Sequence, residues 1–134
     1  MFEGLNWLAV VVSTFVSMAL GFVWYTPILF GNLWIKLVGL KAEDIEAKDS
    51  TKGMIISLFG AFISSVALAV IIGWIGYGLV NGLLAGAGFS FAFIVTTFFS
   101  QDAYEKRPLS LTLINSGYRF IYFLIIGAIL GLWH

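Results

Sequence analysis

The sequence predicts an all-α polytopic membrane protein with four transmembrane helices and one short interfacial helix after the first. Three observations predict it. The chain is 60% hydrophobic and only 10% charged, with a mean hydropathy of +1.01. Seven acids and seven Lys/Arg cannot clothe a soluble domain of 134 residues in charge. The charges also cluster, with none between Glu3 and Lys36 and none between Lys52 and Asp102. The uncharged runs reach the roughly 20 apolar residues that a spanning helix needs. Backbone polar groups in lipid must be satisfied within the segment, so such runs are helices rather than strands.

The elements follow in order. Residues 6–25 supply the first span, and Pro27 stops it by removing a donor. Residues 27–40 are apolar but too short to span. They carry Asn32 and Lys36 one helical turn apart and Trp34 as an anchor, which predicts a helix lying in the interface, with a re-entrant hairpin as the rival. The mixed-charge stretch 41–52 reads as a solvated connector, with Asp49, Ser50 or Thr51 able to cap the next helix. Residues 53–75 supply the second span, and Gly-Tyr-Gly at 76–78 a tight turn. The third and fourth spans cover 79–100 and 111–133, so one four-helix domain takes up the whole of 1–134.

Lys and Arg in short loops set orientation. The first loop holds Lys36, Lys41, Lys48 and Lys52, the third holds Lys106 and Arg107, and the termini and second loop hold none. The first and third loops are therefore expected in the cytoplasm, with both termini outside. Aromatic residues agree, since Trp and Tyr prefer the headgroup level. Trp7, Trp74, Tyr77 and Trp133 fall at the outer boundary, and Trp24, Tyr25, Trp34 and Tyr104 at the inner one. "MFEGLNW" lacks a basic n-region, so the first span is expected to be retained rather than cleaved.

Small residues recur every four. Ala9, Ser13, Ser17 and Gly21 do so in the first span. Gly53, Ser57, Ala61, Ser65, Ala69 and Gly73 do so in the second, Gly78, Gly82, Gly86 and Ser90 in the third, and Gly127 with Gly131 in the fourth. In lipid, close backbone approach through small side chains replaces the hydrophobic drive between helices. The stripes predict a tight bundle. They also leave open whether some pack between subunits of a homo-oligomer, a dimer first and a trimer or tetramer behind it.

The segment "NWLAVVVSTFVSMALGFVWYTPILFGNLWIKLVGL" resembles the opening of a bacterial four-span membrane family known as domain of unknown function 1761. The resemblance rests on a leading Asn-Trp, a Trp-Tyr-Ser/Thr-Pro ending, then Phe-Gly and a Trp. Here these are Asn6, Trp7, Trp24, Tyr25, Thr26, Pro27, Phe30, Gly31 and Trp34. The distal block is similar to the family's closing helix through Arg107, Pro108, Gly117, Tyr118 and the Gly-Ala-Ile-Leu-Gly run at 127–131. The resemblance implies four helices in an inner membrane and no known activity. It also implies Asp at the position of Asn115, a departure that argues against a proton or ion-pair role there. Residues 86–100 are faintly similar to a helix of small four-span bacterial fluoride channels, but the Gly-rich first helix ending in Arg is missing.

The fourth span carries the chemistry. At 100° per residue, Thr112, Asn115, Tyr118, Arg119 and Tyr122 fall within an arc of about 120° on its first half. A charge facing lipid costs at least about 2.5–3.5 kcal/mol at the membrane centre, so this face should point into the bundle or a water-filled vestibule. Three readings of Arg119 stand. It snorkels to Asp102, or to carbonyls near Pro27 or Pro108, for structure alone. It attracts an anionic ligand or permeating ion, with Asn115, Tyr118 and Tyr122 as hydrogen-bond partners and Thr96, Thr97 and Ser100 facing them from the third span. Or it holds a lipid phosphate at the inner leaflet.

Other classes are disfavoured. There is no cysteine, hence no thiol chemistry, and no metal-binding spacing of His, Asp or Glu. No nucleophile has a nearby base, so no catalytic residue and no enzyme is expected, and no cofactor. Net charge +0 gives no reason to expect nucleic acid; the lipid bilayer is the expected partner. Asn81 reads as an interhelical hydrogen bond or a cap, Ser13, Thr14, Ser64 and Ser65 as back-bonded to their own helices, and His134 as exposed. The expectation is a small oligomeric channel or transporter for a small anion, selected by Arg119, or otherwise a non-transporting scaffold or accessory subunit.

Overall fold

A computed structural model describes residues 2–26, 28–38 and 47–134. Pro27, expected to stop the first span, and residues 39–46, which take in Lys41, the end of the expected interfacial helix and half of the expected connector, lie outside them. The described residues form an all-α bundle. Helix α1 spans Trp7–Trp24, the short α2 Gly31–Val38, and α3 Ala47–Ile75. The third span is composite: α4 Leu79–Phe89, a π-helical segment Ser90–Val95, and α5 Thr96–Tyr104. Helix α6 spans Leu109–Leu132. Four helices are long and apolar enough to cross a membrane: Trp7–Trp24, Thr51–Ile75, Leu79–Tyr104 and Leu109–Leu132. Their apolar outer surface is what lipid-facing helices require; Phe15, Phe59, Ile63, Val80, Leu84, Phe91 and Phe93 all stand exposed.

Local chemistry sets the ends. Asn6 caps α1 by accepting a hydrogen bond from the Ala9 N–H at 3.1 Å. Helix α3 begins at Ala47, six residues before the expected start, so positions 49–51 lie inside the helix. The turn to α4 uses positive φ at Gly76 (+112°) and Gly78 (+125°), where a side chain would be strained. Asn81 closes this turn by donating to the Gly76 carbonyl at 3.1 Å, a local bond rather than an interhelical one.

The closest packing joins α4 to α6. A methyl group at Gly82 would strike the Gly127 carbonyl, one at Gly86 the Phe123 carbonyl, and one at Gly131 the Gly78 carbonyl. The Gly78 N–H donates to the Gly131 carbonyl at 2.8 Å, tying the turn to the end of α6. These stripes pack within the chain. The core lies among α1, α3 and α6, where Ala9, Val10, Leu68, Ala69, Ile72, Tyr122, Ile126 and Leu130 are buried. Ser13, Ser17, Ala61 and Ser65 belong to the same crossing. Ser57, expected with them, is exposed, as are all residues 51–60. The lengths explain this. The 29 residues of α3 run about 43 Å against about 27 Å for the 18 of α1, so its first turns outrun their partner.

Candidate functional site around Arg119 and Asp102

The end of α1 builds one wall of the site. The Thr26 carbonyl accepts from the N–H groups of Leu29 (3.1 Å) and Gly31 (2.8 Å), folding the chain back into α2. Any side chain at Gly31 would strike the Tyr25 carbonyl, so the turn requires glycine. Trp24 and Phe30 rings lie 4.9 Å apart, and Tyr25 and Trp34 rings 5.5 Å apart. This corner is stapled to α6. The Trp24 indole donates to the Ile114 carbonyl at 3.0 Å, and the Tyr25 hydroxyl to Asn115 Oδ1 at 2.8 Å.

Tyr118 crosses from α6 to α1, its hydroxyl donating to the Ser17 carbonyl at 3.0 Å. Gly21 makes the room, since a methyl there would come within 2.9 Å of that hydroxyl. Arg119 is partly buried beside it. Its guanidinium carbon lies 5.3 Å from the Tyr118 ring centroid and 5.7 Å from that of Tyr122. Two ring faces therefore hold the cation, each pairing adding about 0.5–2 kcal/mol. Among the described residues no carboxylate pairs with it.

Beyond Arg119 the crossing contains hydroxyls without partners. The Tyr122 hydroxyl, in a residue 1% exposed, has the Ser17 and Ser64 hydroxyls close by but no partner among the described residues within 3.5 Å at hydrogen-bond angles. The Ser13 and Ser65 hydroxyls are likewise buried and unpaired, contrary to the expected back-bonding. Thr14 does back-bond, to the Val10 carbonyl at 2.8 Å, and Ser17 to that of Ser13 at 2.8 Å. Past Ser13 the core becomes wholly apolar, with Ala9, Val10, Ile72, Ile126 and Leu130 buried.

Asp102, one of the partners the snorkelling reading allowed, does not meet Arg119. It is 5% exposed and accepts a hydrogen bond from the Thr112 hydroxyl at 2.7 Å, two helical turns short of Arg119. The π-helical segment is the reason. An α-helix carried on from Ser90 would present Thr97 and then Gln101 to α6. The wider turn inserts one residue into that repeat, so Phe98 and Asp102 face inward instead. Thr96, Thr97 and Ser100 are exposed, and of the three only Thr97 would have faced α6 without the added residue. Thr96 and Thr97 spend their hydroxyls on the carbonyls of Ala92 and Phe93. The structure does not bring these three to Arg119.

Outward-facing hollows flank α5. One, of about 410 Å³, is lined by Phe93, Ile94, Thr97, Phe98, Gln101, Asp102, Glu105 and Arg107. Its rim is built by the end of α5. The N–H of Lys106, at φ +58°, donates to the Ala103 carbonyl, and that of Arg107 to the Asp102 carbonyl. This Schellman turn swings Arg107 back beside Glu105, with Nε 2.9 Å from Oε2. Only the bare presence of an acid at the span's edge pointed to Asp102 in the sequence; its contact with Thr112 depends on the π turn.

Comparison with known proteins gives a family. The model of the family described as "Protein of unknown function (DUF1761)" matches residues 8–131. No curated protein and no solved structure matches the chain.

Proposed function

The chain belongs to the DUF1761 family of proteins of unknown function, and from that premise we propose an inner-membrane, non-enzymatic permeation protein for a small anion. One observation carries the reading. Arg119 is partly buried, held by aromatic faces, and without a carboxylate among the described residues, while the neighbouring Tyr122 hydroxyl is an unused donor. A cation and hydroxyl donors without acceptors suit an anion, which would supply what the protein withholds. From Tyr25 to Ser13 the polar groups extend about 18 Å along α1. The apolar plug of Val10, Ile72, Ile126 and Leu130 closes the remainder, and transport would need it to part. The working unit is a homo-oligomer, a dimer first, with the basic loops in the cytoplasm.

A second reading, a non-transporting scaffold, is favoured by the bonds of Asn115 and Tyr118 to α1, which spend two of the five polar groups on structure. Flux through reconstituted vesicles separates the two. Wild type should pass a small anion such as chloride, and Arg119→Ala should abolish this at a stability cost of about 1–4 kcal/mol, the loss of its two cation–π contacts. Tyr122→Phe removes a hydroxyl that has no partner, so it should leave stability within about 0.5 kcal/mol while slowing flux. Absence of flux in correctly folded wild type, with Arg119→Ala unfolding the chain, would decide for the scaffold.

A further inference from the structure

We propose that the hollow beside α5 is a lipid site that selects a headgroup carrying both a primary ammonium and a phosphate. It stands apart from the Arg119 seam and does not rest on the transport reading. The floor of the hollow is the Asp102 carboxylate, 5% exposed. Thr112 satisfies Oδ2, and among the described residues no cation pairs with this acid. A carboxylate so far removed from water calls for more compensation than one neutral hydroxyl provides. Immediately beside it, Arg107 is held by Glu105 through Nε, leaving the outer edge of its guanidinium to point elsewhere, and its side chain is 45% exposed. Ammonium on Asp102 and phosphate on Arg107 are the two ends of one zwitterionic head.

The other wall fixes the class as a lipid rather than a free metabolite. Phe93, Ile94 and Phe98 line the end away from the rim, and Phe93 is 65% exposed. From Phe93 to Glu105 the hollow runs about 18 Å along the span, from apolar depth to headgroup level. Its 410 Å³ is ample for a head and its first acyl carbons and lies within the range of built ligand sites. A trimethylated head has no N–H to give Asp102, so the site should discriminate against it.

The test is lipid retention. The whole protein is placed in bilayers of phosphatidylethanolamine and phosphatidylcholine with identical chains, extracted gently, and its bound lipid counted by native mass spectrometry. Wild type should retain the ethanolamine lipid about tenfold over the choline lipid, the size of one charge-assisted hydrogen bond. Asp102→Asn keeps an oxygen for the Thr112 hydroxyl but removes the charge, and should bring the two to parity. Thr97→Trp fills the hollow from its exposed side while keeping the Asp102 carboxylate, and should lower retention of both. Equal retention by wild type, a preference that survives Asp102→Asn, or retention undiminished by Thr97→Trp overturns the proposal. Should Asp102→Asn fail to fold, Thr97→Trp decides alone.

Discussion

Tyr25 and Ser65 each carry a hydroxyl into the bundle, and the difference in what those hydroxyls meet sets what their loss should do. Tyr25 donates to Asn115 and wedges its ring against Trp34 and Tyr118. Tyr25→Phe keeps the ring but leaves Asn115 Oδ1 without its donor, and should destabilise the bundle by about 1 kcal/mol in a steric-trap or denaturant titration. Ser65 and Ser13 donate to nothing, so Ser65→Ala and Ser13→Ala should be neutral or slightly stabilising in the same titration. If either alanine costs as much as Tyr25→Phe, those hydroxyls have a partner such as an internal water. At this scale the sequence was only partly readable. The polar arc on α6 could be drawn from 100° periodicity. The bond from Asn115 joins residues 90 apart and could not be, because periodicity says which groups share a face and nothing about which face meets them.

Between elements, the spacing of glycines was visible but its use was not. Gly53, Gly60, Gly82 and Gly127 look alike in the sequence, yet a methyl at Gly53 or Gly60 meets nothing within 4 Å, whereas one at Gly82 or Gly127 meets the facing carbonyl. Gly82→Val or Gly127→Val should therefore push α4 from α6 and cost about 2–3 kcal/mol or more. Gly53→Ala and Gly60→Ala should fall within about 0.5 kcal/mol of wild type. Thermal melts of the four variants in one detergent would order them. The spans themselves were legible because composition alone fixes them: uncharged runs of sufficient length admit one structure in lipid. The π-helical segment was not, since Ser-Phe-Ala-Phe-Ile-Val is equally apolar in either helix type. That one added residue turned Thr97 outward and Asp102 inward, while Thr96 and Ser100 lie off the inward line of either helix type.

Across the whole molecule, function depends on which end of the bundle faces the cytoplasm. Arg119 lies in the half of α6 near the loop that carries Lys106 and Arg107, and the apolar plug lies toward the termini. The polar groups thus lie toward the basic loops and the apolar groups toward the ends of the chain. Short loops rich in Lys and Arg are held on the cytoplasmic side. An anion would then reach Arg119 from the cytoplasm first, and the plug would be the outward barrier. The chain's lack of cysteine makes the orientation directly measurable. Tyr104 is 89% exposed at the basic end, and His134 closes the other end, stacked on Tyr77 at 4.4 Å. In intact cells, a membrane-impermeant maleimide should label the His134→Cys variant and reach the Tyr104→Cys variant only after permeabilisation. The opposite pattern would reverse the seam, putting Arg119 within reach of the outside and making the plug a barrier to entry from the cytoplasm. Labelling of both variants from one side would break the four crossings themselves, and with them the reason for treating an arginine without a carboxylate as anything but a solvated side chain.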